Sequence, residues 1–452
     1  MQRCKATPIR QERPPATIIK GNSCFRQAKT RWPIFGETLE FLLSGHRGRL
    51  EVFVDTRRDK YSSEVFATSL FGHNMAFFCR ASGNKFLFTN ENKFVTSWWP
   101  QTMKKILMQD FFISSKFVRS VISEFLKPDA LRNYIPTMEL VAKEQIAKEW
   151  APQKEVVVLD LVRNYSFWLV CRLLVGIQEP KNIAKLIKNF EAVLAGIFSV
   201  PLDFPGTTFN RGIKKARLLR KELMSIIKAM KTSLGEKKDK SVTGLIIHKL
   251  LSTPDENSKF MSLLIGGYDS PAITITFLIR YLAELPHVYQ EVFKENMEIA
   301  KSKGPKEFRN WGDVQKMKYS WNVACEVLRL TPPAQIGIRE AIADFNFAGF
   351  TIPRGWKCPF NSQSPEYFPN PEKFDPTRFE GNGPAPHTFI SFGGGPRMCP
   401  GREFARVEIL VFLHNLVTKF KWETLIPNEK AAFTPVPVPQ SGLPVRLWPI
   451  EN

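Results

Sequence analysis

The run from Arg402 to Phe420 constrains this chain more than any other segment. Phe404, Val407, Ile409, Leu410, Val411, Phe412, Leu413, Leu416, Val417 and Phe420 are apolar, and the run reads as a helix buried in a core. Directly ahead of it stands Phe392-Gly393-Gly394-Gly395-Pro396-Arg397-Met398-Cys399-Pro400-Gly401. Cys399 therefore sits just before a helix N-terminus, where free N–H groups and the macrodipole favour a thiolate. Arg397 adds positive charge two residues away. The glycines let backbone approach something flat and large without side chains in the way. Such a sulfur is suited to bind a metal from one side. Taken alone, the cysteine also admits a buried structural thiol, half of a disulfide, or a phosphate-binding glycine loop.

Composition narrows the alternatives. At 452 residues the chain can bury one large core or two ordinary ones, and its 37 Phe exclude a disordered polymer. Its 7 cysteines, odd in number and widely spaced, argue against a disulfide scaffold and for a reducing compartment. No Cys-x-x-Cys or His-x-x-x-His pair suggests zinc. A net charge of +21 raises nucleic-acid binding, but the charge is spread along the chain with no such motif, so no nucleic-acid partner is expected. A basic surface also suits an acidic electron-transfer partner or anionic lipid. No stretch reads as a transmembrane anchor: the best apolar run, Tyr165 to Ile177, is short and cut by Arg172.

Residues 1–31 read as a basic tail, with Arg3, Lys5, Arg10, Arg13, Lys20, Arg26, Lys29 and Arg31 against Glu12 alone. Short β-type runs follow at Glu64 to Leu70 and Met75 to Cys79. Apolar positions three and four apart predict helices over Leu131–Trp150, Leu159–Ile177, Asn182–Phe198 and Ile213–Met230. After 330 the chain is rich in proline and glycine until the helix behind Cys399. The expectation is a single large domain over 32–452, mostly α with a minor β-sheet region.

The pattern Phe-x-x-Gly-x-Arg-x-Cys-x-Gly resembles the haem-binding segment of the cytochrome P-450, or haem-thiolate monooxygenase, superfamily. The resemblance covers about 31–452 and implies that fold, with haem b bound through the Cys399 thiolate. Phe392, Gly395, Arg397 and Gly401 would line the haem, and Arg339 and Arg119 would join Arg397 at its propionates. Glu326 and Arg329 lie three apart on one helix face and can pair. In the family a further arginine completes a buried cluster that holds the cysteine loop, and Phe374-Asp375-Pro376-Thr377-Arg378-Phe379 supplies it as Arg378.

Gly266-Gly267-Tyr268-Asp269-Ser270-Pro271 reads by itself as a helix start, with Asp269 or Ser270 as N-cap and Pro271 at the first position. By resemblance it is the oxygen-activating segment, in which Asp269 and Ser270 relay protons. Two departures are expected to matter. Ser270 stands where the family usually has threonine. The polar run Asp255-Glu256-Asn257-Ser258-Lys259 predicts that the front of the central helix is missing, and Pro271 predicts a kink. A second shortening is expected between Trp356 and Pro365.

Trp32-Pro33-Ile34-Phe35-Gly36, Asn90-Glu91-Asn92-Lys93, Trp98-Trp99-Pro100 and Phe379-Glu380-Gly381 look like the plant branch that oxidises terpenoids, near the triterpene (β-amyrin-type) oxidases and taxane hydroxylases. That implies hydroxylation of a triterpenoid or sterol-like C–H bond with O2, and electrons from NADPH through a cytochrome reductase. It also implies a site on the cytosolic face of the endoplasmic reticulum membrane, here with peripheral contact in place of an anchor. Expected pocket residues are Trp98 and Leu107, Phe198 and Leu202, Ile265, then Gln335, Ile336 and Ile338, with Val438. The alternative is a degenerate or oxygen-independent haem-thiolate protein that keeps the fold with impaired oxygenation.

Overall fold

The structure, a computed structural model, describes residues 36–450 apart from 47–49, 63, 108–118, 120–121, 124–125, 237–255, 305–306, 362–366 and 434–435. The basic tail at 1–31 lies outside the described residues. Helices α1 (Thr38–His46) and α2 (Leu50–Lys60) lead into strands β1 (Val65–Leu70) and β2 (His73–Phe78), then α3 (Ala81–Thr89), β3 (Val95–Ser97) and α4 (Gln101–Leu107). The helical half comprises α5 (Pro128–Gln145), the short strand β4 (Glu155–Val157), α6 (Val158–Val170), α7 (Pro180–Ile197) and α8 (Thr208–Glu236). It continues through α9 (Glu256–Glu284), α10 (Pro286–Lys301), α11 (Trp311–Lys316) and α12 (Lys318–Leu330). Strands β5 (Ile336–Ala341), β6 (Phe345–Phe347), β7 (Phe350–Ile352) and β8 (Lys357–Asn361) precede α13 (Arg402–Val417). The chain closes with β9 (Phe420–Thr424), β10 (Ala431–Phe433), β11 (Pro437–Pro439) and β12 (Pro444–Pro449).

The apolar run after Cys399 is the buried helix that its composition demands. From Val407 to Val417 every residue of α13 is buried, and the helix packs on α5, α9, α10 and α12. Phe412 meets Trp150 and Tyr165 with ring centroids 5.8 and 4.6 Å apart. Complete burial of each such side chain is worth about 1.5–3 kcal/mol, so this helix is the mechanical centre of the domain. The apolar face of α9 is its neighbour. Phe260–Glu284 has the length and apolarity of a membrane span, but most of it is buried inside the protein.

A titratable carboxyl sits in this core. Ser166 on α6 donates to the Glu408 carboxylate across 2.7 Å, and burial raises the Glu408 carboxyl to about 8. The unfolded chain releases this proton near pH 4.5, whereas the folded protein keeps it until about pH 8. Native stability should therefore fall as pH rises from about 5 to about 8, at up to about 1.4 kcal/mol per pH unit for one proton. Urea melts across that range should show a flatter profile for Glu408→Gln. A wild-type profile as flat as the variant's would refute the assignment.

The main sheet has the order β1-β2-β8-β5-β3, antiparallel except for the β2–β8 pair. In β5, Arg339 lies opposite Ser97 of β3 and Cys358 of β8. This register fixes the position of Arg339 from both sides.

Two sequence expectations change here. The central helix is not cut short at the polar run: α9 has 29 residues and begins at Glu256, ten residues before Gly266. Glu, Asn, Ser and Lys lower helix propensity only modestly, so a polar stretch alone does not end a helix. Asp269 and Ser270 do not cap a helix start, because Pro271 lies inside α9. The proline cannot donate to the Gly267 carbonyl, and the helix nevertheless continues to Glu284. The Lys357–Asn361 stretch is a strand paired on both sides, and part of the segment between Trp356 and Pro365 where a shortening is expected falls on 362–366, outside the described residues.

Candidate active site

The cysteine loop is shaped by backbone rules before any side chain acts. Gly393 and Gly395 have φ of +69° and +62°, which L side chains adopt only with strain. The Cys399 N–H donates to the Phe392 carbonyl at 2.8 Å, closing the loop on itself. A Cβ on Gly394 would lie 2.4 Å from the Phe88 ring, so the loop rests directly on the end of α3. Ser391 donates to the Leu328 carbonyl at 2.9 Å, tying the front of the loop to α12.

Cys399 is exposed, yet the surrounding protein desolvates its thiol and pushes its pKa up. Both hold together for a sulfur on the wall of a concavity. The Gly401 N–H bonded to the sulfur, Arg119 and Arg402 act in the opposite direction. Arg397 does not take part as the sequence suggested, because its Nε donates to Glu91 at 3.0 Å. Cys79, Cys171, Cys325 and Cys358 are buried thiols outside any disulfide among the described residues, with pKa values pushed up by burial.

Three arginines from distant segments gather at this loop. Arg119 donates to the Met398 carbonyl, Arg397 lies within the loop, and Arg339 reaches in from β5. Burial lowers the pKa of Arg119 and Arg339, and the Arg397 charge lowers both further. Glu91 lies among them with its side chain 1% exposed. Its Oε2 is 2.7 Å from Arg339 Nε, but neither atom has a hydrogen-bond partner, so the pair has contact without hydrogen-bond geometry. Sequence reading named the three arginines and gave Glu91 no role. The Arg397–Glu91 contact spans 306 positions, and nothing local marks it.

Glu326, Arg329 and Arg378 are brought together beneath the loop. Arg329 makes a two-pronged contact to Glu326 at 2.6 and 2.7 Å, and Arg378 Nε approaches the same carboxylate at 3.4 Å. The Asp375 N–H also donates to Glu326, at 2.8 Å. Arg378 and Arg329 both reach the Lys373 carbonyl, so one fully buried carboxylate organises the segment ahead of the cysteine loop.

Within α9, which is otherwise buried, one face stays open. Gly266 and Ser270, four apart and hence aligned, are exposed, and a Cβ on Gly266 would meet nothing within 4 Å. Gly267 faces the other way, hard against Val170 of α6. Asp269 is also turned toward α6: Arg163 donates to it at 2.9 Å, while burial raises its carboxyl pKa against that pull. The expected proton pair is thus divided, with the hydroxyl on the open face and the carboxylate held by an arginine that the sequence did not suggest. Of the expected pocket residues, Leu107 is buried, and Trp98, Ile265, Gln335, Ile336, Ile338 and Val438 are partly buried. Phe198 and Leu202 are 46% and 52% exposed on the α7–α8 connection, beside Val200 and Phe204. They stand at the surface.

The family model "Cytochrome P450" matches residues 27–438. A beta-amyrin 28-monooxygenase of Solanum lycopersicum is 52% identical, over 93% of this chain and 92% of its own. One of Vitis vinifera is 51% identical, over 93% and 91%. A beta-amyrin 6-beta-monooxygenase of Solanum lycopersicum is 49% identical, over 93% and 91%. The solved structure of retinoic acid-bound cyanobacterial CYP120A1 has a TM-score of 0.80 and 29% identity, over 93% of this chain and 98% of that one.

Proposed function

Since this chain belongs to the cytochrome P450 family of haem-thiolate monooxygenases, we propose that it inserts oxygen from O2 into a C–H bond of a triterpenoid, using NADPH-derived electrons from a reductase. The observation that carries the reading is the accessible Cys399 sulfur in a wall of glycine backbone, with three guanidiniums beside it. These residues fit a haem. The glycines leave room for a flat group beside the exposed sulfur, and a cluster of three guanidiniums suits its two carboxylates.

Cys399 would hold the iron, and Arg119, Arg339 and Arg397 the propionates. Haem, when bound, supplies reductive activation of O2, favoured by electron donation from the thiolate. The chain supplies everything else. Gly266 leaves space on the open face of α9, and Ser270 presents a hydroxyl there. Asp269, the next residue back, is tied to Arg163 and could serve proton delivery only when that ion pair opens. Glu326, Arg329 and Arg378 keep the cysteine loop in place.

The substrate class is supported by relatives about half identical over nearly their whole length, named for β-amyrin. Those named for its 28 and 6-beta positions are almost equally similar to this chain, so identity does not fix the carbon attacked. The apolar tip Phe198, Val200, Leu202 and Phe204 supports peripheral contact with a membrane at the endoplasmic reticulum, from which an oily substrate could be drawn. The net charge of +21 supports docking of an acidic reductase.

The reduced carbon-monoxide difference spectrum of the full chain, followed by turnover of β-amyrin with a reductase and NADPH, tests the reading. The wild type should show the thiolate-ligated Soret band and an oxygenated product. Cys399→Ser should lose that band and at least ~99% of turnover, since a hydroxyl does not ionise to replace a thiolate. A wild type without the band would overturn the assignment.

A further inference from the structure

The turn after α3 carries a carboxylate that the reading above does not use. Glu91 is held by a stiff local frame. The Asn90 side chain donates to the Phe86 carbonyl at 2.9 Å, the Asn92 N–H donates to the Val95 carbonyl at 2.7 Å, and Glu91 bridges Val95 in parallel. Val95 opens β3, and Ser97 of that strand pairs with Arg339. Phe88, three residues earlier, bears against Gly394 and Gly395 of the cysteine loop. One short segment therefore touches both the loop that carries Arg397 and the strand that carries Arg339, and Glu91 is its charged contact with each.

We infer that Glu91 is the built-in counter-ion of the haem-carboxylate subsite: it holds Arg339 and Arg397 side by side and sets the charge that the bound haem experiences. The inference rests on the reading of Cys399 and the three arginines as a haem site. Among the described residues, three guanidiniums gather around this one carboxylate, and the charge of Arg397 works against both of its neighbours. A carboxylate that touches two of them relieves this repulsion. It leaves positive charge over for a group with two carboxylates of its own. Glu91 is thus a positioning residue that acts through arginines and not on the substrate.

The sign of its effect on iron follows from charge. Reduction adds an electron, so loss of a nearby negative charge favours the ferrous form. For a buried charge on the order of 10 Å away at an effective dielectric of about 20, the ferrous-to-ferric ratio should rise about tenfold. That corresponds to about 59 mV for one electron. A carboxylate serving only as a fold anchor would change stability and leave this ratio alone.

The test is spectroelectrochemistry of the full haem-loaded chain, with haem content per chain measured alongside. Glu91→Gln should raise the ferrous-to-ferric ratio about tenfold at fixed potential, while Glu91→Asp, which keeps the charge, should stay within about twofold of wild type. The pair Glu91→Gln with Arg339→Gln removes one charge of each sign and should return the potential toward wild type. An unchanged potential in Glu91→Gln would overturn the inference. If that variant takes up too little haem to titrate, Glu91→Asp, which keeps the charge, should still load haem near the wild-type level, and an equal loss in Glu91→Asp would overturn the inference. A wild type without thiolate-ligated haem would instead sink the underlying reading, and this inference with it.

Discussion

Glu326→Gln should destabilise the protein by about 3 kcal/mol or more and strip it of most of its haem. Glu326 is 0% exposed and receives Arg329 through two contacts, Arg378 through one and the Asp375 N–H through another. A neutral amide of the same shape leaves two guanidiniums without their buried carboxylate. Breaking a buried pair from one side typically costs about 3–5 kcal/mol. The segment that slackens feeds the cysteine loop, so haem per folded chain should fall along with the urea midpoint. Glu284→Gln is the matched control. Its partner Arg280 is also on one helix, at 2.8 Å, but Glu284 is 29% exposed, and its loss should cost no more than about 0.5 kcal/mol. Equal midpoints for the two variants would show that the buried cluster contributes nothing special.

Gly395→Ala should empty the haem site while leaving the helical domain folded. At φ of +62° an alanine is strained by about 1–2 kcal/mol. Its Cβ would also lie 2.5 Å from the Phe88 carbonyl oxygen, a backbone atom fixed by α3 that cannot rotate aside. Together these should cost about 2–4 kcal/mol, and the loop can escape the cost by lifting off α3. The expected result is a loss of the thiolate-ligated band with far-ultraviolet circular dichroism near that of wild type. Gly381→Ala separates strain from clash, because Gly381 has a similar φ of +59° and open space around its Cβ. That variant should keep its haem. Full haem content in Gly395→Ala would mean that the contact with Phe88 does not set the loop.

These two variants probe different kinds of sequence information. The glycine–cysteine loop and the apolar helix behind it are local, and both were legible, because backbone conformation and full burial impose residue types over short stretches. The helices α5 to α8 were legible for the same reason, through apolar spacing. The start of α9 was not. Polar residues at 255–259 read as a break, yet the helix includes Glu256 onward. Proline inside α9 read as a helix start for the same local reason.

The sequence by itself determined the sulfur, its glycine loop, the buried helix that carries it, and the residue types able to serve a haem. Only the tertiary structure decided which charges meet. It paired Arg397 with Glu91 across 306 positions, gave Asp269 to Arg163 across 106, and turned Ser270 alone toward open space. Periodicity and turn chemistry act within a few residues and leave a trace in the sequence. Coulomb interaction and desolvation depend on distance in space, which strand register and helix packing set after the chain has folded.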